Sequence, residues 1–123
     1  MFNSNLVHVL LFVADPAKSA EFYSNIFGFK PVEQSPTFAM FALPNGVKLG
    51  LWSRHTAEPT VEALPGAMEI CFPAADVDAM YEFVGSKNVT FIQTPTEMDF
   101  GRTFVFLDVD GHRIRVYKLH EHQ

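Results

Sequence analysis

A histidine and a glutamate occupy matching places in two halves of this chain, and either side chain could hold a metal or pass a proton. Sliding residues 69–117 under residues 8–52 aligns His8 with Glu69, Asp15 with Asp76 and Phe22 with Phe83. A slightly larger offset then aligns Gly46 with Gly111, Gly50 with Arg115 and Trp52 with Tyr117. Gly50 and Arg115, which also share an aligned place, have no such chemistry, because glycine has no side chain and arginine is permanently protonated with no acceptor. Trp52, the only tryptophan, lies two positions beyond Gly50 and offers a surface on which a planar guest can stack.

The remaining reactive side chains have plainer readings. Cys71, the only cysteine, sits in the apolar run Ile70-Cys71-Phe72 and reads as a core thiol. Asp99-Phe100-Gly101 has the letters of a kinase metal-binding triplet, but 123 residues cannot hold a kinase domain. His120-Glu121-His122 has ligand-like types, yet at the chain end it reads as solvated.

The elements that must position these groups repeat with the halves. A period near half the chain length means duplicated modules, since a solenoid buries its core through several short repeats. In the first half, residues 7–13 are an apolar, β-branched run, followed by Asp15 as a helix cap and Pro16 in the first turn. Phe22, Tyr23, Ile26 and Phe27 form one helical stripe, which Gly28 terminates. The second half gives a strand at 68–73, a cap at Asp76, a stripe of Met80, Phe83 and Val84, and a stop near Asn88. Three short strands follow each helix: about 30–34, 38–43 and 47–52, then 90–93, 103–108 and 112–119. Pro44-Asn45-Gly46 and Asp110-Gly111 supply turns. The fold class is α+β, with two βαβββ modules at about 5–53 and 66–119 in a single domain. The polar stretch 53–65 links them, and the change of offset places a loop insertion around Pro95 to Gly101.

Composition sets limits. A chain that is 48% hydrophobic over 123 residues can bury a core without staples, and one cysteine allows no internal disulfide. A net charge of −5 with no basic run argues against nucleic acid or an anionic membrane as partner. The apolar stretch 6–14 is too short to span a bilayer and lacks a cationic lead-in, so we expect a soluble, cytoplasmic protein.

The segment His8-Val9-Leu10-Leu11-Phe12-Val13-Ala14-Asp15, continuing through Ser19, Phe22-Tyr23 and Gly28-Phe29, resembles the vicinal oxygen chelate superfamily, as does Phe106-Leu107-Asp108-Val109-Asp110-Gly111-His112-Arg113-Ile114. That superfamily includes glyoxalase I, fosfomycin resistance enzymes, extradiol dioxygenases and bleomycin resistance proteins. The resemblance covers essentially the whole chain. It implies that each module curls into half a cup, that the modules are paired in a homodimer, and that four metal-ligand positions fall on His8, Gly50, Glu69 and Arg115.

Only two of those four can bind a metal, whereas a catalytic site needs about three protein ligands. Glu69 and Arg115 are expected on one face of neighbouring strands, where they can pair. His8, Leu10 and Phe12 share the concave face with Lys48, Gly50 and Trp52. Gly50 is expected to open space beside His8, with Trp52 flanking the gap. Met40, Phe41 and Phe100 are candidates for the wall, and Arg102, in the insertion, for the mouth.

The reading that follows is a binding module: a homodimer that sequesters a planar aromatic toxin or antibiotic, with no metal and no cofactor. The combination resembles the bleomycin resistance branch and, more narrowly, phenazine antibiotic resistance proteins, to which Phe100-Gly101-Arg102-Thr103-Phe104 and Asp110-Gly111-His112-Arg113-Ile114-Arg115 are similar. The alternative is a metal-dependent lyase of the glyoxalase I kind, or a thiol transferase, using His8 and Glu69 with a third ligand from elsewhere. A non-metal isomerase with His8 and Glu69 as acid and base stays open.

Overall fold

A computed structural model describes residues 1–121. The chain divides into two compact units, Met1–Ala63 and Leu64–Gln123, with the boundary inside the polar stretch 53–65. Both units carry the expected βαβββ order.

In the first unit the elements are β1 (His8–Val13), α1 (Pro16–Phe27), β2 (Glu33–Gln34), β3 (Phe38–Ala42) and β4 (Lys48–Ser53). The sheet order is β1-β4-β3-β2, with β1 parallel to β4 and the other pairs antiparallel. Asp15 caps α1 by accepting the Ala17 N–H at 3.0 Å, and Pro16 fills a first-turn position whose missing N–H costs no helical bond. Gly28 ends the helix at φ 81°, donating to the Ser24 carbonyl at 2.9 Å. Strand β2 is shorter than the sequence suggests, because Pro31 has no N–H to give a ladder.

One sheet face packs on α1. Val13, Ala39, Phe41, Leu49 and Leu51 are buried there against Tyr23, and Phe27 meets Phe41 edge-on with centroids 5.4 Å apart. Burial of each large side chain stabilises by roughly 1.5–3 kcal/mol. Phe41 is therefore core, which corrects its assignment to a ligand wall. Alternation settles the matter, since consecutive strand residues point to opposite faces and, of residues 38–41, Phe38 and Met40 are the two that point away from the helix.

The second unit has β5 (Glu69–Pro73), α2 (Val77–Gly85), β6 (Thr90–Met98), β7 (Gly101–Leu107) and β8 (Arg113–Leu119), in the sheet order β5-β8-β7-β6. Asp76 caps α2 through the Ala79 N–H at 3.0 Å, and Asn88 adopts the left-handed conformation at φ 60° beyond its end. The buried stripe of α2 differs from the expected one. Val77 and Val84 are buried and Tyr81 packs on Phe91 and Phe104, whereas Met80 and Phe83 are exposed. Spacings of four and then three keep 77, 81 and 84 on one face, and Met80 and Phe83 lie off it.

Only the two-residue turn Asp99-Phe100 leaves the ladder within 95–101, so the added residues are not a long loop. Strands β6 and β7 extend instead into a longer hairpin, with register shifts between Phe91 and Gln93 and between Gln93 and Thr96 that absorb Pro95 on the outermost strand. The hairpin requires a glycine at 101. Its φ is +152°, and a Cβ there would stand 2.0 Å from the Lys118 carbonyl oxygen. Asp108 holds the β7–β8 turn by accepting the N–H groups of Asp110, Gly111 and His112. Cys71 is exposed, on the face away from α2, which corrects the core-thiol reading: in a strand only its neighbours Ile70 and Phe72 face the helix side.

Candidate functional site

On the first unit's face away from α1, the ladder sets His8 beside Lys48, Leu10 beside Gly50 and Phe12 beside Trp52. Across β4, Met40 registers with Gly50 and Phe38 with Trp52. The result is an aromatic surface built around the glycine. The Phe12 and Trp52 rings lie 6.0 Å apart, tilted by 36°, and both are half-buried. His8 is exposed. The space over Gly50 is occupied, contrary to the open gap expected: a Cβ there would meet Leu10 Cδ2 at 2.5 Å and Phe38 Cζ at 3.1 Å. Gly50 lets these two side chains lie flat on the strand.

On the second unit's face away from α2, Arg115 and Glu69 form the expected pair. Arg115 Nε donates to Glu69 Oε1 at 2.7 Å and Nη2 donates to Oε2 at 3.1 Å, a two-pronged geometry that suits guanidinium and carboxylate. Nη1 donates to Gln93 Oε1 and to Thr103 Oγ1, each at 3.1 Å. Thr103 is fully buried and its hydroxyl donates to the Val116 carbonyl at 2.7 Å, which leaves its lone pairs to accept from Arg115. Arg113, two residues away on β8 and so on the same face, makes a second ion pair with Glu69. Phe100 reaches this face as well, its ring centroid 6.0 Å from Arg115 Cζ.

The electrostatics follow from these contacts. The Arg115 hydrogen bonds, opposed by partial burial and aided by Arg113, hold the Glu69 carboxyl below its ordinary range. Glu69 in turn raises Arg115. Partial desolvation, then the Glu69 carboxylate, pushes the Cys71 thiol up, with Arg115 opposing. Cys71 is thus exposed but kept protonated, unlike an activated nucleophile.

Arg102 stands elsewhere. It lies in β7 rather than a loop, and donates to both oxygens of Asp78 on α2 at 2.9 and 2.8 Å and to Glu97 at 3.4 Å. It faces the helix side and fastens helix to hairpin, which corrects its expected place at a binding-site mouth. His120 reaches the Met98 carbonyl at 3.2 Å and Glu97 at 3.9 Å, and His122 falls outside the described residues. Sequence reasoning missed Arg113, Gln93 and Thr103. Arg113 had a readable signal, being two positions from Arg115 on one strand.

The residues at the four ligand positions do not fit a divalent metal. Both oxygens of Glu69 are taken by guanidinium groups, Gly50 offers no donor, and Arg115 places a fixed positive charge at the carboxylate. Among the described residues no group of three His, Cys, Asp or Glu side chains is placed to hold a metal. None of their helices is long and apolar enough to cross a membrane.

Two βαβββ units with these motifs define the class: the chain belongs to the glyoxalase/bleomycin resistance protein/dioxygenase superfamily, whose family model matches residues 5–116. Among its relatives is the phenazine antibiotic resistance protein EhpR of Enterobacter agglomerans, 34% identical over 116 residues, spanning 89% of this chain and 88% of that protein. The solution structure of ATC0852 from Agrobacterium tumefaciens is 42% identical, with a TM-score of 0.84 over 93% of this chain and 96% of that one. A glyoxalase/bleomycin resistance protein/dioxygenase from Nocardioides, 22% identical, matches all of this chain and 88% of its own with a TM-score of 0.83, and shows the shared fold.

Proposed function

We propose that this protein binds and sequesters a planar aromatic antibiotic of the phenazine type, without a metal and without transforming it, and that it works as a homodimer. The observation that carries this reading is the Glu69–Arg115 pair. A guanidinium engaged by four hydrogen bonds takes the carboxylate that a metal centre would need. The similarity to EhpR, named for phenazine resistance, supports the ligand class.

The first unit supplies the stacking surface. A guest seated over Gly50 turns aside the exposed tip of Leu10 and gains the Trp52 and Phe12 rings. Stacking on such rings contributes about 0.5–1.5 kcal/mol beyond the area buried. Two-fold dimers are the commonest soluble homo-oligomers, and a second copy would cover a binding face that one unit leaves open.

The test is a titration with phenazine followed by the fluorescence of Trp52, run once with a chelator and once with added zinc, alongside elemental analysis of the purified protein. Saturable quenching of equal midpoint in both is expected. One zinc or nickel per chain, lost in His8→Ala, would overturn the proposal in favour of a metalloenzyme.

A further inference from the structure

The first unit's sheet face away from α1 is chemically lopsided. Its ladder forms rows across β1, β4 and β3: Phe12, Trp52 and Phe38, then Leu10, Gly50 and Met40, then His8, Lys48 and Ala42. Rings fill the first row and apolar groups the second. The third row holds the only ionisable side chains of the three, and all of its members are exposed. Among the described residues neither His8 nor Lys48 has a side-chain hydrogen bond or ion pair. Glu33 pairs with Met40 on the outer strand β2, and so extends the second row at the sheet's far edge.

We propose that Lys48, with His8 beside it, orients the planar guest by holding an acidic substituent, so that the rings lie over Gly50 and Trp52 and a carboxylate points to the third row. Spacing allows this within one sheet face. Two strand residues separate Gly50 from Lys48, about 6.6 Å along β4, and the four-carbon lysine stem covers the rest. The His8 imidazole can donate an N–H to the same carboxylate in either ionisation state. Glu33 disfavours the reversed pose, because it would meet a carboxylate turned toward the outer strand with like charge. Net charge makes the preference diagnostic: a chain at −5 repels anions generally, so tighter binding of an anion requires a local cation.

The inference rests on the proposed sequestration of phenazine-type rings, and one experiment separates the two. Isothermal titration in low salt with phenazine-1-carboxylate and with its neutral carboxamide gives an affinity ratio for each protein. The wild type is expected to favour the carboxylate by about three- to fivefold, the range of an exposed ion pair, and the margin should shrink in about 1 M salt. Lys48→Gln is expected to erase the preference and Lys48→Arg to keep it. Lys18→Gln, on α1 and so across the sheet, removes the same charge and should leave the ratio unchanged. If the carboxamide binds and the carboxylate is no tighter, if the preference survives in Lys48→Gln, or if Lys18→Gln also erases it, the role of Lys48 is wrong while sequestration stands. If neither ligand binds the wild type, both proposals fall.

Discussion

Arg115 on β8 and Glu69 on β5 meet side by side, with Nε 2.7 Å from one carboxylate oxygen and Nη2 3.1 Å from the other. Their backbones are offset in register: Glu69 lies opposite Arg113, and Arg115 lies opposite Cys71. The long guanidinium arm spans that offset, so a single carboxylate serves both arginines.

This arrangement gives the protein an acid-sensitive component. The folded carboxyl of Glu69 is depressed, first by the Arg115 hydrogen bonds, below its ordinary value of 4.5. Its stabilisation is complete above that value and is lost as pH falls through the lower folded one, because there the unfolded chain takes up a proton more readily. Glu69→Gln should remove this component, and should cost about 1–3 kcal/mol at pH 7 by leaving Arg115 without its charged acceptor. Urea unfolding of both proteins from pH 7 down to pH 3 measures it. Parallel curves at every pH would contradict the assignment.

Trp52→Ala should weaken phenazine binding by about 2- to 10-fold, the range that loss of ring stacking gives. Gly50→Leu should abolish binding and also lower stability, since Leu10 and Phe38 already occupy the space its side chain needs. Calorimetry on both variants checks this, and wild-type affinity in either would place the aromatic site elsewhere.

Gly101→Ala should destabilise by about 2–4 kcal/mol, because the new Cβ meets backbone that has nowhere to go. A fall in Tm of roughly 10 °C is expected for a chain of this size. An unchanged Tm would show that the β6–β7 hairpin can relax away from Lys118.

Light scattering at micromolar concentration should give twice the chain mass of 13.8 kDa. A monomer would remove the homodimer from the proposed function.

Much of this molecule is legible in its sequence. Asp15, Pro16, Gly28 and Asp76 mark helix ends through local hydrogen bonding and backbone preference, which act over a few residues and can be read without a fold. Glu69 and Arg115 can be paired once strand alternation and strand order are assumed. Face assignment within a strand is harder. Phe38 to Phe41 reads as a uniformly apolar run, and only contact with Tyr23 and Phe27 decides that Phe41 is core while Met40 faces away. The same limit misplaced Cys71, whose apolar neighbours concealed the alternation. Arg102 was misread because an offset between repeats shows that residues were added and says nothing of their conformation. Here they lengthen two strands.

The partners of Arg115 lie on β5, β6 and β7, and Arg115 itself is on β8, so one guanidinium stitches every strand of its sheet together. That clasp makes the position intolerant of change: replacing Arg115 with a shorter side chain would remove its ties to three strands in one step and leave the sheet to its backbone ladders alone.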